Sequence, residues 1–285
     1  MIQFEAGFLM IARILELRVN SLCLLCAMVA ALLFPGGLKA ANRSAQEVAK
    51  EIANPLTDMT YIPIQVNFDR DIGPFDGDRY TINIQPLTSF ELNDDWNVIS
   101  RTIVPIISQD DVSEKGSSES GLGDITQSFF LSPKLEAEGQ WSWGLGPIVS
   151  LPTASRDELG VDHLTAGITA VAVQVKGPWT YGLLTSYSHS VNKGSNDPRV
   201  KSAYFQPFLD YTTETAITYE LSSESTYDQD ASEWSIPIIF TANKIFPVSN
   251  FMMAVGGGPR YWVTSPDSGP EGWGLNVSVY FFLPK

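Results

Sequence analysis

The sequence predicts an all-β fold: a transmembrane antiparallel up-and-down β-barrel of about twelve strands with a short N-terminal helix. Three observations carry this reading. From about Ile62 to Leu283, runs of roughly 9–12 residues alternate apolar with small or polar positions, each run ending in a break. Trp273, Leu275, Val277, Val279 and Phe281 share one parity, with Gly274, Asn276 and Ser278 on the other. Trp141, Trp143, Leu145, Val149 and Leu151 repeat the pattern against Ser142, Gly144, Gly146 and Ser150, as do Trp179, Tyr181, Leu183 and Tyr187 against Thr180, Gly182, Ser186 and Ser188. Second, the runs exceed the five or six residues usual in a soluble sandwich and carry aromatics near their ends. A tilted strand crossing a bilayer needs that length and those anchors. Third, the connections alternate between longer and shorter, as they do when loops lie on one side of a membrane and turns on the other.

Residues 1–40 read as a signal peptide. Arg13 and Arg18 precede an apolar core from Leu22 to Phe34, then Pro35-Gly36-Gly37 and Leu38-Lys39-Ala40-Ala41, with cleavage expected after Ala40. An uncleaved anchor helix is the rival, but a core of about 13 residues is short for a span. Apolar residues from Phe8 to Ala12 leave two candidate starts, Met1 and Met10. Cys23 and Cys26 both lie in this leader, so their C-x-x-C spacing is no redox motif in a processed chain. The net charge of −14 becomes −15 once Arg13, Arg18 and Lys39 leave together with Glu5 and Glu16, an acidity that excludes nucleic acid as a partner.

Residues 41–61 are expected to hold a helix from Ala45 to Ala53. Ser44-Ala45-Gln46-Glu47 is a capping-box pattern, and Val48, Ile52 and Leu56 follow at helical spacing until Pro55 interferes. The segment plugs the barrel mouth, lies at the periplasmic membrane surface, or is a frayed N-terminal extension. Residues 62–285 form the barrel. Expected strands are Ile62–Asp69, Tyr80–Phe90, Trp96–Ile107, Asp124–Ser132, Trp141–Leu151, Thr165–Lys176, Trp179–Val191, Val200–Tyr211, Ala216–Tyr227, Glu233–Ala242, Phe251–Val263 and Trp273–Leu283. The longer connections include Arg70–Arg79, Ser108–Gly123 and Pro152–Leu164; Leu92–Asp95, Gly177-Pro178 and Thr212–Thr215 are tight. In Trp96–Ile107 the parity of Trp96, Val98 and Val104 competes with that of Ile99, Ile103 and Ile107. Gly256-Gly257-Gly258-Pro259 is expected to interrupt its strand with a bend.

If the aromatics face lipid, the other parity faces the lumen. The lumen-lining candidates are Asn83, Gln85, Arg101, Gln206, Asp210, Glu220, Glu224 and Arg260. Arg101 is assigned inward because a lipid-facing arginine at the midplane costs about 2–4 kcal/mol. Mixed acids and arginines inside a barrel line a polar pathway and select permeants by charge. Alternatively, they pair across a filled lumen and only stabilise it. No enzyme is expected: neighbours in a strand point to opposite faces, so Ser188 and Ser190 cannot serve His189 as nucleophiles, and no G-x-S-x-G, H-E-x-x-H or phosphate-loop motif occurs. A serine from another strand keeps a barrel-embedded lipid-modifying enzyme open, with His163 and His189 as its histidines. Asp76-Gly77-Asp78 and Asp228-Gln229-Asp230 read as turn residues, and no metal or cofactor is expected.

The segments IANPLTDMTYIPIQ (Ile52–Gln65), INIQP (Ile82–Pro86), LNDDW (Leu92–Trp96), SRTIVPIIS (Ser100–Ser108) and GLGDITQSFFLSPK (Gly121–Lys134) resemble a family of Gram-negative outer-membrane transporters. Many of its members are mislabelled "neuromedin U", and it is similar to outer-membrane proteins associated with phenol degradation. The resemblance is densest over the first half of the mature chain. It implies an outer-membrane location, insertion by the barrel-assembly machinery, and contact with outer-membrane lipid and lipopolysaccharide. By label it implies transport of small, hydrophobic or aromatic solutes. No binding residue carries over. The chain departs from the usual terminal aromatic, since Phe282 is followed by Leu283-Pro284-Lys285. The resulting expectation is an outer-membrane channel or transporter for small solutes; the alternatives are the lipid-modifying enzyme and a filled structural barrel with binding loops.

Overall fold

The computed structural model describes residues 44–134, 139–191, 201–248 and 251–283. The leader, with its cysteines, cleavage site and candidate starts, lies outside the described residues. One helix, α1 (Ala45–Ile52), precedes β1 (Thr60–Ile72), β2 (Gly77–Ile84), β3 (Leu87–Glu91), β4 (Trp96–Asp110) and β5 (Ser118–Leu122). There follow β6 (Ile125–Pro133), β7 (Trp141–Leu151), β8 (Thr165–Lys176), β9 (Trp179–Ser190) and β10 (Lys201–Thr212). The last are β11 (Ile217–Ser223), β12 (Ser225–Asp228), β13 (Glu233–Val248), β14 (Phe251–Thr264) and β15 (Gly272–Leu283).

These segments make twelve antiparallel crossings. Three crossings are interrupted: β2 and β3 at Gln85-Pro86, β5 and β6 at Gly123-Asp124, β11 and β12 at Glu224. β15 pairs with β1, from Leu283 opposite Thr60 to Leu275 opposite Phe68, so the sheet closes without an edge. That closure matters in hydrocarbon, where an unpaired backbone group costs several kcal/mol.

A single parity decides what each wall faces. Trp143, Leu145, Leu183, Phe240 and Trp273 point outward and are exposed, with Trp273 at 65%. Aromatics gather in two belts. At the end bearing the termini, Trp96 meets Trp143 edge-on at 6.0 Å, Trp141 meets Tyr181 at 5.7 Å and Trp179 meets Tyr211 at 4.8 Å. At the loop end, Phe68 stacks on Tyr80 at 4.5 Å, Tyr261 lies 4.8 Å from Trp273 and Tyr227 lies 4.8 Å from Trp234. A strand of 12 residues such as β8, rising about 3.3 Å per residue and tilted about 40°, spans about 30 Å, the thickness of the hydrocarbon layer.

The structure corrects several details of the sequence reading. The competing parities in β4 resolve with Trp96, Val98, Val104 and Ile106 outside and Ile99 and Arg101 inside, as their register with Phe129, Leu131 and Ser128 requires. The outer wall there also carries Ser100, Thr102 and Gln127, and these satisfy one another. Thr102 Oγ1 donates to Gln127 Oε1 (2.6 Å), and Gln127 Nε2 donates to Ser100 Oγ (3.0 Å) and to the Ser128 carbonyl (2.9 Å). The connection Arg70–Arg79 shrinks to Gly73–Asp76, and Ser108–Gly123 shrinks to residues 111–117, because pairing continues through polar residues beyond the apolar band. β13 likewise runs on to Val248. The glycines at 256–258 do not break β14. They bring backbones together instead: a Cβ at Gly258 would lie 2.0 Å from the Phe240 carbonyl oxygen.

The helix has the expected cap. Ser44 Oγ accepts from the Glu47 amide (3.2 Å) and the Ser44 amide donates to Glu47 Oε2 (2.7 Å). α1 and the chain after it pack against the inner wall. Val48 and Ala49 are buried and α1 packs on β13, β10 and β11. Leu56 lies against the opposite side, where a Cβ at Gly144 of β7 would meet its Cδ2 at 2.9 Å. An apolar collar of inward residues, Phe130, Val171, Val173, Ile245 and Phe282 among them, surrounds this plug near the terminal end.

Candidate functional site: the polar lumen

Above the plug the inner wall turns polar, because the inward parity carries Gln, Asn, Asp, Glu and Arg where the outward parity carries apolar groups. A hydrogen-bonded bar crosses the barrel here. Arg101 Nη2 donates to Gln85 Oε1 (2.8 Å), Gln85 Nε2 to Gln65 Oε1 (2.9 Å), and Gln65 Nε2 to Glu224 Oε1 (3.3 Å). Gln65 stands on β1 and Glu224 between β11 and β12, so this last bond is a chord over the intervening strands. Glu224 Oε2 in turn lies 3.4 Å from Arg260 Nη1, and Arg260 Nε lies 3.2 Å from Asp69 Oδ1. The latter is an ion pair without hydrogen-bond alignment, since Arg260 Nε has no hydrogen-bond partner. Trp262 fixes the cluster by donating Nε1–H to Asp69 (2.7 Å) while its ring sits 4.6 Å from the guanidinium carbon.

Below the bar, toward the plug, lies a cavity of about 170 Å³. Its walls are Gln65, Gln85, Arg101, Gln206 and Glu224 above, Asp210 and Glu220 lower down, and Tyr61, Phe130, Phe208 and Tyr280 on the apolar sides. β10 and β11 present their inward residues in rungs. Thr212 and Thr218 share a hydroxyl hydrogen bond of 3.0 Å nearest the turn, then Asp210 faces Glu220, then Phe208 faces Ser222.

Of the sequence candidates, Gln85, Arg101, Gln206, Asp210, Glu220 and Glu224 meet in this cavity. Arg260 joins through Glu224. Asn83, opposite Gln65 in the register, shares the inner face but is not among the cavity-lining residues. Gln65 and Asp69 belong to the same network, Asn67 accepts separately from Asn276 Nδ2 (2.7 Å), and all three carry the same signal, alternating with Ile64, Val66 and Phe68. Tyr61, Tyr204, Trp262 and Tyr280 point inward against the rule that aromatics face lipid, on the parity they share with Gln65, Gln206, Arg260 and Ser278. His189 stands on the outer wall, opposite Ala166 and Lys201, and His163 lies in the loop after β7. Among the described residues, no group of three or more His, Cys, Asp or Glu side chains is placed to hold a metal ion.

The loop end is narrowed from within. Residues 152–164 fold back over β5, with Leu159 buried beside the inward positions Gly121 and Gly123. Asp124 holds this loop: Oδ1 accepts from the amides of Thr153 and Ala154 (3.1 Å each) and Oδ2 from Val161 (2.7 Å). Hydrogen bonds to a charged acceptor contribute about 1.5–3 kcal/mol each. Asp124→Ala is therefore expected to speed amide exchange at Ala154 and Val161 by about a hundredfold, corresponding to about 3 kcal/mol. Unchanged exchange there would show that Leu159 and the bonds of Thr153 and Ser155 to Leu122, Gly123 and Ile125 hold the loop without Asp124.

The sequence model of one protein family, described as "Putative MetA-pathway of phenol degradation", matches residues 73–224. No curated protein matches the sequence. Among solved structures, an outer-membrane channel from Pseudomonas putida F1 is similar with a TM-score of 0.63 and 18% identity, over 80% of this chain and 97% of that one. The NanC porin is similar with a TM-score of 0.50 and 9% identity, over 77% of this chain and 98% of that one. At these identities the likeness is one of fold.

Proposed function

The chain belongs to the family described in those words, and from that premise we propose that it is an outer-membrane channel admitting small solutes, exported by its leader and non-enzymatic. The observation that carries the proposal is the contrast between the two faces of one wall. The outside is apolar with two aromatic belts; the inside is a polar lumen with a cavity, charged on both signs. In this reading the end bearing the termini is periplasmic, and the loop held by Asp124 is extracellular. The similar structures, an outer-membrane channel and a porin, are consistent with it. The family description adds phenolic or aromatic compounds as candidate permeants.

A filled, structural barrel is the second reading, favoured by the chord from Gln65 to Glu224 and by the plug. Single-channel recording of refolded protein in planar bilayers separates the two. A channel gives small discrete current steps; a filled barrel gives none, even when residues 44–58 are deleted. Substituting His163 and His189 together is expected to leave conductance unchanged, whereas a lipid-modifying enzyme that depends on them would lose its activity.

A further inference from the structure

We propose that Asp210 and Glu220 form a binding subsite for the primary ammonium group of a small solute with an apolar body. This rests on reading the lumen as open to solutes. The two carboxylates stand directly opposite each other on β10 and β11, and both face the cavity. Asp210 is only 5% exposed, yet its Oδ1 has no hydrogen-bond partner. Among the described residues one other buried side-chain atom shares that condition, Arg260 Nε, and it is compensated by Asp69 at 3.2 Å. Asp210 Oδ1 has no such compensation. A buried polar atom left unpaired costs about 1–3 kcal/mol, so a site of this kind is unusual unless something else completes it.

The arginines that could complete it are committed elsewhere. Arg101 donates to Gln85, and Arg260 serves Asp69 and Glu224. Higher in the lumen Arg79 donates to Gln109, which also bonds Glu119. Among the described residues between the plug and the loop over β5, the inward acids Asp69, Glu119, Asp210, Glu220 and Glu224 thus outnumber the inward bases Arg79, Arg101 and Arg260, and the surplus sits at the facing pair. A cation placed between the two carboxylates removes their mutual repulsion. A primary ammonium does more, because its three N–H donors can be divided between both.

The rest of the cavity selects the remainder of the ligand. Phe208 occupies the next rung above Asp210, and Tyr61, Phe130 and Tyr280 close the sides. Aromatic faces beside an ammonium add cation–π attraction, and the apolar surface accepts a hydrocarbon body. The volume of 170 Å³ compares with the roughly 150 Å³ in which an engineered apolar cavity holds benzene. One ring with a short aminoalkyl arm fits; a carboxylate in the same place would meet two like charges.

The test uses the full-length processed protein refolded in zwitterionic micelles, titrated calorimetrically with 2-phenylethylammonium. Saturable binding is expected, weakened at least about tenfold in Asp210→Asn/Glu220→Gln, since charge-assisted bonds are about twice as strong as neutral ones. Asp210→Asn and Glu220→Gln singly, each nearly isosteric, are expected to weaken it to intermediate degrees and stand in for the pair should the double variant not refold. 3-Phenylpropionate, of similar size and opposite charge, is expected not to bind. Amine binding that survives these substitutions, no amine binding by the native protein, or equal affinity for the carboxylate would each overturn the subsite. Because binding is read without a membrane potential, the two readings fail separately. Amine binding without current steps defeats the channel, and current steps without amine binding defeat the subsite.

Discussion

Deleting residues 44–58 is expected to raise the single-channel conductance by about an order of magnitude, because the plug packs across the lumen at the terminal end. The helix and its extension bridge the barrel. Val48 and Ala49 are buried on the side of β10, β11 and β13, while Leu56 lies against Gly144 of β7 on the other. Their docking is apolar, at about 1.5–3 kcal/mol for a fully buried Val or Leu side chain. Val48→Asp should therefore act in the same direction as the deletion, by placing a carboxylate in the apolar collar. The barrel itself stays folded in both variants, since its twelve crossings pair with one another and not with the helix. Conductance equal to that of the native protein would mean that the narrow point lies elsewhere, at the chord between Gln65 and Glu224 or at the loop over β5.

The second large effect is on stability. Arg260→Leu removes the cation shared by Asp69 and Glu224 while leaving both carboxylates inside the barrel, with the Asp69 and Arg260 side chains at most a tenth exposed. Breaking a buried ion pair from one side typically costs about 3–5 kcal/mol. The urea midpoint of the barrel in micelles should fall accordingly. Adding Asp69→Asn and Glu224→Gln should restore much of it, since amides need no counter-charge. Arg260→Lys should land between, because a single ammonium cannot reproduce the guanidinium fork or its seat over Trp262. A midpoint that does not move would show that water already screens the cluster.

The fold was legible because period-2 alternation is a local signal. Trp141 to Leu151 and Trp273 to Phe281 each announce a wall with one apolar face, and their order needs no tertiary information. The candidate site was legible in part for the same reason: Asp210, Glu220 and Gln85 stand out against apolar neighbours. What the alternation leaves open is which inward residues meet. Gln65 reaches Glu224 because the barrel closes through β15, a relation spread over 159 positions of sequence. The inward aromatics Tyr61, Tyr204, Trp262 and Tyr280 escaped because the rule that aromatics face lipid runs against the parity they share with Gln65, Gln206, Arg260 and Ser278. The loop lengths were misjudged where strands continue past the hydrocarbon: Arg70 and Asp78 look like loop residues yet still belong to paired strands.

The short stretch joining Ile52 to Thr60 has a further consequence. Residues 53–59 can extend to about 25 Å at most, at roughly 3.3–3.6 Å per residue. A helix that left its seat would therefore hang beside the mouth as a tethered particle. Its return is an intramolecular event, with an effective local concentration in the millimolar range or above for so short a leash. Obstruction of the passage thus becomes independent of how much protein the membrane holds, and each molecule reseals itself without help from any other.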